Sequence, residues 1–131
     1  MRRLTLFLLT LLLSSGLPVA GSAQDAKEQD LYAAATAYAN LVLVTKDYEA
    51  AAAQSHPSVA AQMTASMLED ATGQVLAQTG PLHSLEPKRQ SLLQGFNAVV
   101  LTGTFDVGDL DVVVVMDDDH AVAGILVRPP S

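Results

Sequence analysis

The stretch that decides the fold reads FNAVVLTGTF (96–105), DVGD (106–109), LDVVVVM (110–116), DDDH (117–120), AVAGILV (121–127). Three runs rich in β-branched and other aliphatic residues alternate with two clusters of turn formers. Branched side chains favour the pleated backbone, and Asp and Gly favour turns. The spacing predicts strands over 96–105, 110–116 and 121–127, joined by hairpins into an antiparallel meander that Pro129-Pro130 ends. In the middle run, Leu110, Val112, Val114 and Met116 make one apolar face. Asp111, Val113, Val115 and Asp117 make the other, charged at both ends. The last run is apolar on both faces, with Val122 and Leu126 on one and Ala123, Ile125 and Val127 on the other. A solvated antiparallel face should be polar. One face is therefore expected beneath helices, and the middle of the other beneath a second copy of the chain, as a homodimer through the sheet face.

The helices come first. Residues 25–45 place Leu31, Ala34, Ala35, Tyr38, Leu41 and Val42 at helical spacing, with Asp25, Glu28 and Asp30 where the dipole favours negative charge. Lys46-Asp47 breaks the pattern. Asp47 is a candidate cap for a short helix over 48–54, which His56-Pro57 ends. Thr64 is a candidate cap for a third helix with the stripe Met67, Leu68, Ala71, Val75 and Leu76. Gly80-Pro81 stops it. Residues 82–93 are expected to be extended. The fold class is α+β, with N-terminal helices packed on a curved antiparallel sheet.

Before the helices stands an address. Arg2-Arg3, the apolar run LTLFLLTLLL (4–13), the breakers Ser14, Ser15, Gly16 and Pro18, and Gly21-Ser22-Ala23 follow the pattern of a secretory signal peptide. Cleavage is expected between Ala23 and Gln24, leaving one domain over 24–131. The apolar run is half the roughly 20 residues a spanning helix needs, so membrane contact is expected only before cleavage. The expected location is secreted or periplasmic. The 131 residues are half apolar and contain no Cys and no Trp, which excludes disulfides, thiolate metal sites and cysteine catalysis. There are 7 basic and 14 acidic residues. Without Arg2 and Arg3 the net charge is −9, which argues against nucleic acid as a partner.

The order of helices and meander is that of the nuclear transport factor 2-like, or cystatin-like, fold. The run Ala50 to Ser55, Met63 to Leu76, Thr79-Gly80-Pro81, Val99 to Phe105, Asp117 to Asp119, and Val122-Ala123-Gly124-Ile125-Leu126 up to Pro129 resembles a secreted bacterial family, domain of unknown function 3887. The resemblance covers about residues 31–130. Two positions depart from it. Thr72 stands near where the family often carries Trp, and Asp119-His120 stand where the last hairpin often carries Gly. The resemblance implies a small exported module and carries over no catalytic residue.

The acidic clusters Asp106, Asp109, Asp111 and Asp117, Asp118, Asp119 read as turn residues that guard sheet ends. Eight residues separate Asp109 from Asp117, roughly 26 Å at about 3.3 Å each, so one cation could not use both. His56, His83 and His120 show no metal-ligand spacing. No nucleophile motif, phosphate loop or acid–base pair is visible, and no catalytic residue, metal or cofactor is assigned. Tyr38 and Tyr48 are candidate pocket residues, although Tyr38 at helical spacing reads first as core. Lys88-Arg89, a basic pair in an acidic chain, is a candidate contact for an anionic ligand or a partner carboxylate. Otherwise it is a solvated strand end. The expected function is a non-catalytic binding or protein-interaction module. The alternatives are a carrier of a small apolar ligand in the helix–sheet cavity, and an acid–base enzyme of nuclear transport factor 2-like type.

Overall fold

The computed structural model describes residues 26–131. The expected signal segment and the cleavage point between Ala23 and Gln24 lie outside the described residues. The chain divides into the units Met1–Asp30 and Leu31–Ser131. Of the first, residues 26–30 are helical and exposed.

Helix α1 covers residues 26–40 and widens into a π-helical turn at Leu41–Thr45. A π turn fits more than four residues per revolution, so two neighbouring residues share the inner face. Val42 and Leu43 are accordingly both buried, beside Leu31, Ala35, Tyr38 and Ala39. Lys46, at φ 60°, ends the turn. Helix α2 (Tyr48–Ala53) starts at Asp47, whose carboxylate accepts the Ala50 N–H at 3.2 Å. This satisfies one of the orphan donors of a first turn. Helix α3 (Ala65–Thr79) starts at Thr64, which accepts the Met67 N–H at 3.3 Å, and stops at Gly80. Both expected caps and the expected stop are in place.

The sheet is β1 (Leu82–Leu93), β2 (Phe96–Phe105), β3 (Gly108–Met116) and β4 (Val122–Arg128), antiparallel in the order β1-β2-β3-β4. The β1–β2 hairpin turns on Gln94 and Gly95, both at positive φ (53° and 87°), the conformation that two-residue hairpin loops require. Irregularities at Leu82/Ser84, Pro87/Arg89 and Val115/Met116 interrupt the register, and such bulges bend a strand.

The helices cover one sheet face. Val99, Leu101, Phe105, Val112, Val114, Met116 and Val122 form a single core with Leu31, Ala35, Tyr38, Ala39, Val42 and Ala51. This is the α+β arrangement that the patterning dictates. Tyr38 is fully buried in this core, and its hydroxyl has no hydrogen-bond partner among the described residues. Burial pushes the hydroxyl up to about 12, so it stays protonated. A buried hydroxyl without a partner costs about 1–3 kcal/mol of desolvation. Tyr38→Phe is therefore expected to stabilise the protein by about 1 kcal/mol, raising the midpoint of thermal unfolding by several degrees. A lower midpoint would show that the hydroxyl contributes a bond.

One expectation about faces is corrected. The stripe on α3 does not sit wholly on the sheet. Leu68 and Thr72 are buried and Val75 and Leu76 half-buried, but Met67 and Ala71 are exposed. The helix packs on α2 and the π turn, which tips the rest of the stripe toward a groove. On the outer sheet face, the central Ala98, Val100 and Val113 form a second buried cluster and are not bare.

Candidate functional site

Strand β4 is an edge. Its inner side pairs with β3. Its outer side is met only at Val122 among the described residues. There Val122 N–H donates to Gln54 O and His56 N–H donates to Val122 O, both at 2.7 Å. That contact is one parallel bridge, Ser55 beside Val122. Beyond it, α3 runs alongside the edge and leaves a groove.

Three clefts make up this groove. The first, of about 290 Å³, lies between Val59, Met63 and Met67 on one side and Ala123, Gly124 and Ile125 on the other. The narrow middle, of about 60 Å³, is walled by Ala71, Thr72 and Val75, floored by Val42 and Leu43, and closed by Ile125, Leu126 and Val127. The third, of about 340 Å³, lies between Val75, Gln78 and Thr79 and the group Val107, Leu110, Val127 and Arg128. Consecutive clefts share Ala71 and Ile125, then Val75 and Val127, so the three are continuous. The lining is mostly apolar, with Gln62, Thr72, Gln78 and Thr79 as its uncharged polar members and Arg128 as its one charge among the residues that wall it. Leu126 is 46% exposed at the rim. Met63 and Met67 are unbranched and adaptable, as a surface that repacks around a ligand needs. Sequence reasoning missed the groove, because it read the α3 stripe as core.

The candidate residues separate. Tyr38 lines none of these clefts; it is core. Tyr48 is half-buried in a different cleft of about 470 Å³, with Lys46, Asp47, Glu49, Ser66 and Glu69. Desolvation, with Glu69 adding to it, raises its hydroxyl above the ordinary value. Lys88 and Arg89 are brought together on the outer sheet face, and not as a solvated strand end. Lys88 donates to Asp111 Oδ1 at 2.8 Å and Arg89 reaches Oδ2 at 4.0 Å.

Asp111 is itself a correction. It does not guard a turn, because β3 begins at Gly108 and carries Asp111 into the ladder opposite Thr102 and Arg128. It is 1% exposed. The alternation of the strand points it away from Val112, so this buried carboxylate and Tyr38 lie on opposite faces of the sheet. His83 pairs with Asp106 across the β1 start and the β2–β3 turn. His56 stacks edge-on with Phe96 and lies 3.7 Å from Asp117. Among the described residues no three His, Asp or Glu converge as metal ligands would, and no helix is long and apolar enough to cross a membrane.

No family model, curated protein or solved structure matches the chain. Its function is therefore read from the groove and the charges alone.

Proposed function

We propose that this chain is an exported, non-catalytic protein-interaction module of the domain of unknown function 3887 kind, with a nuclear transport factor 2-like fold. Its recognition surface is the α3–β4 groove. The occupant is an extended segment of a partner protein with apolar side chains, laid along the outer edge of β4.

The observation that carries this reading is the unpaired edge itself. An exposed strand edge presents unpaired N–H and C=O groups, and a peptide that adds a strand gains main-chain bonds there while side-chain pockets give specificity. The chain already makes one such contact at Val122, through Gln54 and His56. The clefts beyond it supply apolar pockets on either side of a narrow waist. A carrier of a small ligand would need an enclosed space of roughly 300–1,000 Å³. The helix–sheet interior is instead filled by Tyr38, Leu101 and Met116, which supports a surface groove over an internal cavity.

Selection of peptides from a random library on the full chain tests this. The expected winners carry alternating apolar residues. Their binding is expected to fall at least tenfold in Ala71→Glu and in Leu126→Asp, two exposed positions whose substitution leaves the unfolding midpoint near that of the parent. Winners that bind both variants equally, or no enrichment at all, would contradict the reading. Light scattering on the same samples identifies a second copy as the occupant if the mass doubles and doubling is lost in both variants; that outcome would replace the foreign peptide.

A further inference from the structure

Five basic residues lie beyond Gln24, and three of them meet at one point of the outer sheet face. Lys88 and Arg89 arrive together because the β1 register shifts between Pro87 and Arg89. Arg128 stands directly opposite Asp111 on β4. All three face the Asp111 carboxylate, with Lys88 Nζ at 2.8 Å, Arg128 Nε at 3.9 Å and Arg89 Nη2 at 4.0 Å. Glu86 and Asp109 share this face by register. Asp109 is held by Thr104 Oγ1 at 3.0 Å, and neither acid makes an ion pair with the three cations among the described residues.

Asp111 is the one side-chain carboxylate within 4.0 Å of the three cations among the described residues, and it does not saturate them. Oδ1 of Asp111 takes the Lys88 bond, and Oδ2 accepts Ser131 N–H at 3.3 Å and Ser131 O–H at 3.1 Å. The two guanidiniums therefore stand outside hydrogen-bond range of it. Their neighbour is the tail that follows β4. The main-chain oxygen of Ser131 accepts from Lys88 at 3.1 Å, and its hydroxyl accepts from Arg89 at 2.7 Å. The Arg128 side chain makes no hydrogen bond within the described residues. The tail side chain thus offers a neutral oxygen where arginines would bind an oxyanion about twice as strongly, and in a bidentate manner. Both arginines are nearly half exposed, so the spot is open to solvent. The negative charge of the rest of the chain repels large polyanions and leaves compact ones as ligands.

We propose that Lys88, Arg89 and Arg128 form an oxyanion site, held in register by Asp111, that takes a carboxylate or phosphate group by displacing Ser131. It shares Arg128 with the far end of the α3–β4 groove but lies on the outer sheet face, and it does not rest on the peptide reading of that groove. Asp111 is a positioning residue here, since it fixes the cations and would not touch the ligand.

Calorimetric titration of the full chain with inorganic phosphate, and separately with citrate, distinguishes the two chemistries. Saturable binding of at least one is expected. Arg89→Gln with Arg128→Gln is expected to weaken it at least tenfold. Arg89→Lys with Arg128→Lys keeps the charge and is expected to lose less than the glutamine pair. Ser131→Ala removes the competing hydroxyl and is expected to tighten binding a few-fold. No saturable binding of either anion, equal binding by the glutamine pair, equal loss in both pairs, or unchanged or weaker binding in Ser131→Ala would each overturn the proposal.

Discussion

Replacing Asp111 with alanine is expected to lower the free energy of unfolding by about 3 kcal/mol, because removing one partner of a buried ion pair strands the others. Three cations would then face one another around an empty place on the sheet, and Ser131 would lose both bonds to Oδ2. Urea unfolding measures the loss, and a change within about 0.5 kcal/mol, the range of an ordinary surface substitution, would contradict it. The same carboxylate sets an acid limb. The hydrogen bond from Lys88 lowers its pKa from the ordinary 3.8, desolvation opposes this, and the bonds and charge of Ser131 and Lys88 add to the lowering. A group whose folded pKa is depressed contributes stability above its unfolded pKa and loses it as pH falls through the folded one. The parent protein is therefore expected to lose stability below about pH 4, and Asp111→Asn, which cannot ionise, to be less stable at neutral pH with a shallower acid limb.

Gly80→Ala is the second large effect. Gly80 sits at φ 74° and ψ −179°, a conformation open essentially to glycine alone. A Cβ there would lie 2.6 Å from Asp106 Cβ and 2.8 Å from its Oδ2. Backbone strain costs about 1–3 kcal/mol, and the forced shift of Asp106 a similar amount. That shift also strains the Asp106–His83 pair and the Val107 N–H bond to Thr79 O at 3.2 Å, which tie the end of α3 to the β2–β3 turn. Gly95 has a positive φ too, but open space where its Cβ would go. Gly95→Ala is expected to cost only about 1–2 kcal/mol, the backbone share alone. Equal losses in thermal unfolding would show that the Asp106 contact carries nothing.

Much of this fold is written locally. The turn clusters and branched runs mark β2, β3 and β4 to within two residues. Asp47, Thr64 and Gly80 announce their helix ends, because caps and stops act over three or four residues. β1 is harder to read. It is an edge strand with Pro87 inside it and two register shifts, so its alternation never repeats for long, and Gln94-Gly95 carries only half of the usual turn signal. The π turn leaves no mark, since the extra residue shows only as Val42 and Leu43 both turning inward.

The candidate site is less legible for a different reason. Asp111 looks like a turn acid until the register puts it opposite Arg128 and beside Lys88, 23 positions away. Lys88 and Arg89 could be singled out, but not their third partner. The stripe on α3 has the spacing of a core face whether the helix lies on the sheet or beside it. Only the placement of α3 against α2 turns Met67 and Ala71 into a groove wall.

Amide hydrogen exchange along β4 tests the recognition surface most directly. With the groove empty, the amides of residues 123–128 that point away from β3 are predicted to exchange much faster than those of β2 and β3. A bound apolar peptide is predicted to slow them selectively. If β4 is as protected as β2 in the free protein, or stays unprotected when a selected peptide is bound, the edge is not where this protein meets its partner.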